Sequence, residues 1–433
     1  MTNYKFQMDA KHLKFLVPTL VVVIILFGFF KRDNNQFAFK NQNREIELSQ
    51  ETQNELWGFY NKAHDLSGRS NRAIQKSDAT FLAVGDIMLS RNVAQKIKDT
   101  NDPLLPFRTL DDLFESVDFS FANLESPFSD SDNFNPTGSM IFNAPRDNIK
   151  GLVENKFKIL NLANNHALDQ GLDGLEYTIN YLNENSIKHT GAGMTLDDAW
   201  APVVIEQNGI KLCFIGASYA SINDNGKTTN NYVARIQDLD RLKSSISYLA
   251  STCDFVVASM HAGTEYTTKP NQAQIDFAHA AIDAGANMVI GHHPHWVQEI
   301  ELYCPHPLPT SPLKGEETAL IPLPRGEGLG EGDSESQCAN PKYIFYSLGN
   351  FIFDQMWSQK TREGLALKIQ ISNFKFQNNL QGPRTPATLD SIELIPIIID
   401  NYSTPRLADE KESKEILEKI KIPSRFLPLE GGG

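Results

Sequence analysis

The chain has 433 residues, 41% of them hydrophobic and 21% charged, a composition that can fill a large core and that excludes wholesale disorder. A formal net charge of −13 gives an acidic surface that repels phosphate backbones, so nucleic acid is not an expected partner, although a local cationic or metal-lined cleft can still accept an anion. The length fits two or three average domains or one large domain with appendages, and the second is the simpler reading.

A short tail, residues 1–14, precedes Phe15 to Phe30, "FLVPTLVVVIILFGFF". This run carries no charge and lies between Lys11 and Lys14 on one side and Lys31-Arg32 on the other. It reads as a transmembrane signal-anchor over residues 15–32, near the short end of the roughly 17 to 25 residues that a spanning helix needs. No small-residue A-x-A cleavage pattern follows, so the segment is expected to stay attached. Basic residues nearly balance across it (Lys5, Lys11 and Lys14 against Lys31, Arg32, Lys40 and Arg44) and do not set the orientation. The short N-terminal tail favours export of the long C-terminal part, giving a single-pass membrane protein with an extracytoplasmic main domain. Residues 33–78 read as a polar tether with one short helix around "ETQNELWGFYNKAHDL".

The folded domain is expected from residue 79 to 405, followed by a C-terminal helix and tail at 406–433. Within it one theme recurs: an apolar run of strand length, an abrupt polar cluster, then a helical pattern. The strand candidates are "FLAVGDIM", "VDFSFANLES", "FKILNLANNHALD", "KLCFIGAS", "DFVVASMHAG" and "ANMVIGHHPH". Helices are expected at "LDGLEYTINYLNEN", "IQDLDRLKSSISYLAS" and "NQAQIDFAHAAIDAG". Asn208-Gly209 marks a type I′ hairpin, so the fold class is α/β with mixed sheets that combine parallel crossovers and antiparallel hairpins. Cys213 and Cys253 lie in apolar runs and read as buried small hydrophobes. Cys304 and Cys338 flank a Pro- and Gly-rich stretch without apolar periodicity, a low-complexity insertion at 304–341. It looks like an overgrown hairpin loop, and a disulfide can pin its base in an oxidising compartment; the sequence leaves that bridge open.

The polar clusters matter together. In open α/β sheets ligands gather outside the carboxyl ends of strands. Here successive strand ends bring Asp86, then Asn123 and Glu125, then Asn165 and His166, then His261, then His292, His293 and His295. Taken singly, Asp86 can be a turn or cap residue, and His166 or His261 can be a satisfied core imidazole. The His292-His293-Pro294-His295 group points more firmly to a metal, because alternate residues of an extended segment share a face. Carboxylate, amide and imidazole without thiolate suit Mn, Fe or Zn. A pair of such ions activates water and clamps a phosphoryl or carbonyl oxygen.

The succession "GDIM", "NLESP", "NNHALDQG", "HAGTEY", "GHHPHW" and "SLGNFIFD" closely resembles the CapA family of bacterial capsule and poly-γ-glutamate synthesis proteins, over about Thr80 to Asp354. The resemblance implies the fold of calcineurin-like metallophosphatases: a four-layer αββα sandwich with two mixed β-sheets, preceded here by the single N-terminal transmembrane helix. It implies a dinuclear site in which Asp86, Asn165, His261, His293 and His295 are metal ligands and Glu125 is the bridging carboxylate, with His166 facing the scissile group. Two departures stand out. Met88 occupies the place of the histidine in the D-x-H motif, and Asn123-Leu124-Glu125 replaces a Gly-Asp pair; a thioether is a poor ligand for a hard cation. Asp169 either accepts the ring N–H of His166 or caps the following helix. Asn350 either orients substrate or a ligand, or closes a turn with Gly349. Asp354 shares that setting, Glu265 and Tyr266 are pocket candidates, and Arg91 either pairs with an anionic substrate or is solvated.

The function implied is a membrane-anchored, metal-dependent hydrolase acting on a phosphoester or amide bond of an anionic cell-envelope polymer or its precursor. The alternative is a non-catalytic polymer-binding or assembly component that uses the same pocket beside other capsule synthesis and export proteins.

Overall fold

Strand-length apolar runs alternating with amphipathic helices become, in the computed structural model, two β-sheets flanked by helices. The structure describes residues 39–41, 44–46, 74–134, 139–219, 231–306, 338, 340–376 and 386–420. The expected membrane segment at 15–32, the tether helix and the interior of the insertion lie outside the described residues. No helix among the described residues is long and apolar enough to cross a membrane. The chain divides into two units. The smaller, Met1–Ile74 with Phe376–Leu380, contains an antiparallel pair within the expected tether, β1 (Phe39–Asn41) and β2 (Arg44–Ile46).

The larger unit opens at Gln75 within β3 (Ile74–Ile87), followed by α1 (Arg91–Thr100), α2 (Asp111–Glu115), β4 (Phe119–Leu124), α3 (Ile149–Glu154), β5 (Phe157–Asn161), α4 (Gly171–Glu184) and β6 (Lys188–Thr190). It continues through α5 (Leu196–Ala199), β7 (Val203–Gln207), β8 (Ile210–Ser218), α6 (Leu239–Thr252), β9 (Phe255–His261), α7 (Gln272–Asp283), β10 (Met288–His292) and β11 (Ile300–Tyr303). It closes with β12 (Lys342–Phe345), β13 (Asn350–Ile352), α8 (Gln359–Arg362), β14 (Glu363–Phe376), β15 (Thr388–Asp400), β16 (Thr404–Leu407) and α9 (Glu410–Glu418).

One sheet has the order β16-β15-β14-β3-β4-β5-β6, with β13 also pairing β3; the other has the order β11-β12-β10-β9-β8-β7. Both are mixed. β3 to β6 run parallel in the first, with β15 antiparallel to both β14 and β16. β8, β9, β10 and β12 run parallel in the second, with antiparallel β7 and β11 at its edges.

The period-two alternation of each strand divides its side chains between two faces. Phe81, Phe119 and Phe121 from one sheet meet Phe214, Phe255, Val257, Met288 and Ile290 from the other in a layer between the sheets. Phe81 stacks on Phe119 with ring centroids 5.2 Å apart, and Phe121 meets Phe214 at 5.1 Å. The opposite faces of β3, β4 and β5 carry Leu82, Ala122 and Leu160 against Val93, Ile97, Leu152, Leu175 and Leu182 of α1, α3 and α4. Ile215, Val256, Ala258 and Val289 likewise pack against Leu242, Ile246, Leu249, Phe277 and Ala281 of α6 and α7. The result is the helix–sheet–sheet–helix order that the resemblance implied. Each fully buried aliphatic or phenyl side chain contributes about 1.5–3 kcal/mol, so this apolar bulk can carry polar groups buried at the strand ends.

At Asn208-Gly209 both residues have positive φ (51° and 78°), and β7 pairs β8 antiparallel across them, as the type I′ signal requires. β11 and β12 form the antiparallel base of the expected overgrown hairpin, and Cys304 bridges Cys338 beside it. The reading of Cys213 and Cys253 as simple hydrophobes needs correction. Both are buried, but they form a disulfide with Cα atoms 6.0 Å apart. Parallel pairing of β8 with β9 sets Cys213 beside the chain that enters β9 from α6, and the whole crossover helix hides that adjacency from the sequence. β3 begins at Ile74, ahead of the boundary expected at residue 79, and the boundary expected after residue 405 falls within β16.

Candidate metal centre

Register brings the polar strand ends level. Asp86 pairs with Asn123 and Asn123 with Asn161 across β3, β4 and β5. Ser218 pairs with His261 and His261 with His292 across β8, β9 and β10. The parallel strands of both sheets therefore finish at one end, where the inter-sheet core gives way to carboxylates, amides and imidazoles.

Asp86 and Glu125 are both fully buried. Asp86 accepts hydrogen bonds from Asn123 Nδ2 at 2.8 Å and from the His293 backbone N–H at 3.2 Å. Asn123 is fixed in turn, its Oδ1 accepting from Asn161 Nδ2 at 3.1 Å and Asn164 Nδ2 at 3.2 Å. Glu125 Oε1 lies 3.8 Å from His166 Nε2, 3.8 Å from His261 Nε2 and 3.9 Å from His295 Nε2. Asp86 lies 3.7 Å from His261 Nδ1 and 3.6 Å from His295 Nδ1. Side chains far apart in the chain thus converge on one hollow.

The neighbours of the imidazoles settle which nitrogens carry protons. Asp169 Oδ2 accepts from His166 Nδ1 at 2.7 Å, leaving the Nε2 lone pair toward Glu125. Asn350 donates its amide to Thr361 O (2.9 Å) and Gln355 Oε1 (3.2 Å), so its Oδ1 accepts from His295 Nδ1 at 2.9 Å and leaves His295 Nε2 unprotonated. Asn165 Oδ1 accepts from His261 Nε2 at 2.7 Å, which leaves the Nδ1 lone pair beside Asp86. Phe142 stacks on the His166 ring at 4.0 Å, and its backbone N–H also donates to Asp169 at 2.6 Å.

Burial dominates the electrostatics. It lowers His261 and His293 well below the ordinary imidazole range and takes His295 down to about 4, assisted by the neighbouring imidazoles. Burial raises Asp86 to about 7 against the hydrogen bonds from Asn123 and His293. It also raises Glu125 well above the ordinary carboxyl range, with repulsion from Asp86, Glu265 and Asp169 adding to the effect. Neutral imidazoles beside carboxyls that resist ionisation are what a dication reverses, since its charge favours the carboxylate and takes the free nitrogen lone pairs.

Among the described residues, two groups of buried side chains bring their ligand atoms within 4.8 Å of one another: Glu125, His261 and His293, and Asp86, Glu125 and His295. They share Glu125. Both Glu125 oxygens, His261 Nδ1 and His293 Nδ1 are buried without hydrogen-bond partners, and buried polar atoms left in that state are costly. The donor set of carboxylate and imidazole therefore fits divalent metal, and Glu125 belongs to both groups.

The structure brings Asp86, Glu125, Asn165, His166, Asp169, His261, His293, His295 and Asn350 together. Between Asp169 as helix cap and as imidazole partner, the contact with His166 is the one observed; the residue before α4 is Gln170, and no side chain caps that helix. The route to His293 and His295 differs from the expected extended segment. β10 ends at His292, and His293 and His295 take positive φ of 98° and 57°, so a tight non-glycine turn turns them inward. His292 stays in the core, with Nε2 3.2 Å from Val84 O and its ring edge-on to Phe121. Met88 is wholly buried in the helix-side core, and its sulfur accepts the Ser90 N–H at 3.1 Å. Asn161 and Phe142 were not foreseen, whereas Asn164 opens the quoted NNHALDQG motif. Asn161 lies in the strand-length run before that motif, where nothing in the sequence marks it; Phe142 lies in a loop without periodicity.

Residues 80–355 match the family described as "Bacterial capsule synthesis protein PGA_cap". The chain is 27% identical over 345 residues to the PGA biosynthesis protein CapA of Bacillus subtilis, covering 79% of this chain and 78% of that protein. It is 28% identical over 297 residues to the capsule biosynthesis protein CapA of Bacillus anthracis, covering 66% of this chain and 62% of that protein. Among solved structures, the NAD nucleotidase of Haemophilus influenzae aligns with a TM-score of 0.39 at 9% identity, over 81% of this chain and 64% of that one. A likeness at that score adds no weight to the assignment.

Proposed function

Because the chain belongs to the bacterial capsule synthesis protein family PGA_cap, we propose that it is a metal-dependent hydrolase of capsule or poly-γ-glutamate synthesis or export, cutting a phosphoester or amide bond of an anionic cell-envelope polymer or its precursor. The observation that carries this reading is the pair of overlapping ligand groups that share Glu125. Asp86, Glu125, His295, His261 and His293, with Asn165 beside them, would hold two ions of Mn, Fe or Zn. Bound there, such ions supply Lewis acidity and a lowered pKa for water.

The chain's own residues supply the rest. Asp169 holds His166 by Nδ1, so Nε2 faces the hollow, where it can take a proton and return it to a leaving oxygen or nitrogen. Phe142 covers one face of that imidazole and fixes the plane in which the proton moves. Asn350 and Asn165 hold the rings of His295 and His261 in their tautomers. Near-complete burial of the cluster limits bulk water and strengthens each interaction.

We place the main domain outside the cytoplasm, tethered by residues 15–32. The Cys213–Cys253 and Cys304–Cys338 bridges support that placement, since disulfides persist in oxidising compartments. A second reading is a polymer-holding component of an export assembly. The burial of Met88 among apolar side chains favours it, because one expected ligand is missing from the site. Purified full-length chain in detergent, loaded with Mn, separates the two. Turnover of generic phosphodiesters or γ-glutamyl amides that disappears in His166→Ala and His293→Ala supports the hydrolase; stoichiometric polymer binding without turnover supports the assembly component.

A further inference from the structure

Two buried carboxyls and a set of neutral imidazoles make a poor landing site for an anion, and the residues around Arg91 address that. Arg91 opens α1 with a left-handed φ of 47° and is only 8% exposed. Asp354 accepts from its Nη2 and also from the Asn92 N–H at 3.2 Å, while Ser139 O accepts from Nη1 at 3.0 Å. The guanidinium lies 4.8 Å from the centroid of Phe142 and 5.7 Å from that of Phe353. These are the rings that touch the site: Phe142 stacks on His166 at 4.0 Å, and Phe353 meets His295 edge-on at 4.9 Å. The charge of Arg91 reaches Glu125 and His295. Its Nε is buried with no hydrogen-bond partner. A solvated arginine, one of the two readings open from the sequence, does not describe this residue.

We propose that Arg91 is a substrate-recognition residue of this site, its guanidinium receiving an anionic oxygen, phosphoryl or carboxylate, that the substrate carries close to the bond being cut. The word substrate rests on the hydrolase reading above; the anion assignment rests on Arg91 itself. Asp354 binds the guanidinium and caps α1 at once, so it fixes the fork in place rather than filling it, and the Nε–H is left without a partner. A planar fork packed against two phenyl rings and held by Asp354 has lost its rotamer freedom in advance, which favours an oxygen anion arriving in one orientation. Lysine would supply charge without that geometry.

The test uses the full-length chain in detergent, loaded with Mn, and titrates inorganic phosphate and a γ-linked glutamate oligomer by calorimetry into wild type, Arg91→Gln and Asp354→Asn. Thermal melts and bound-metal analysis accompany each titration. Arg91→Gln is expected to weaken binding of at least one probe by about tenfold or more with bound metal unchanged. Asp354→Asn, which keeps an oxygen acceptor for Nη2 and removes a negative charge beside the incoming anion, is expected to bind that probe as tightly as wild type or more so. The probe that shows the dependence identifies the source of the anion. Equal binding of both probes by wild type and Arg91→Gln overturns the proposal. So does an equal loss in both variants, the signature of a clamp that only holds the 139–143 loop. If Arg91→Gln shows no folding transition, Asp354→Asn decides: retained or tighter binding supports recognition, and lost binding overturns it. A wild type that takes up no metal and cuts nothing, yet binds an anion through Arg91, removes the hydrolase reading and leaves this assignment standing.

Discussion

Replacing Glu125 by glutamine, which keeps the shape and removes the charge, probes the feature both ligand groups share. In the metal-free protein the ligand oxygens of Glu125 and Asp86 lie within 4.8 Å. Two ionised carboxylates at that separation repel by about 3.5 kcal/mol at an effective dielectric constant of about 20. Retention of a proton, the direction in which burial pushes both groups, already relieves part of this. Metal-free Glu125→Gln is therefore expected to be more stable than metal-free wild type by about 1–2 kcal/mol at pH 8. With metal the order reverses. A cation at about a hundred times its dissociation constant stabilises the wild type by about 2.7 kcal/mol per site, and the amide loses most of that at both sites. Chemical denaturation of full-length protein with chelator and with Mn, beside bound-metal analysis, measures each term. A variant that binds as much metal as wild type and gains the same stability from it would refute the shared-carboxylate account.

Three further outcomes follow from the same geometry. Asp169→Asn replaces the carboxylate that holds the His166 tautomer with a neutral amide that can present N–H to Nδ1, so turnover should fall about a hundredfold or more while bound metal is kept; equal kinetics would show that the carboxylate at 2.7 Å does not matter. Gly85→Ala places a Cβ 2.0 Å from Gly349 O, in the seam between β3 and β13 that aligns Asp86 with Asn350, and should cost about 3 kcal/mol together with metal affinity; an unchanged melting temperature contradicts this. In metal-stripped protein, Asp86 holds its proton to about pH 7 while the unfolded chain releases it near 3.8. The folded state then binds more protons across that window and loses stability as pH rises, so the extra stability conferred by Mn should grow between pH 5 and pH 7.5. A metal effect that shrinks over that range sinks the assignment.

The strand ends were legible because burial and chemistry change abruptly there. "FLAVG" gives way to Asp86 and "VVASM" to His261, and the parallel register that levels them follows from one crossover after another. Asn208-Gly209 was legible because a single pair specifies its own turn. Other features depend on partners distant in the chain. Phe142 supports His166 from a loop with no period, and Cys213 meets Cys253 only once α6 has returned the chain to the sheet. The positive φ of His293 and His295 is imposed by the packed site around them and is invisible to an alternation pattern. Asn123 stands out at its strand end as a candidate ligand and Asn161 does not stand out in one dimension; in three, Asn123, Asn161 and Asn164 together become the scaffold of Asp86.

Bound metal in the full-length protein, quantified by elemental analysis after purification and after reconstitution with Mn, Fe or Zn, tests the account most directly. We predict two equivalents per chain for wild type and fewer than one for Glu125→Gln. A reconstituted wild type that retains no metal would contradict the claim that Asp86, Glu125, His261, His293 and His295 form a cation site.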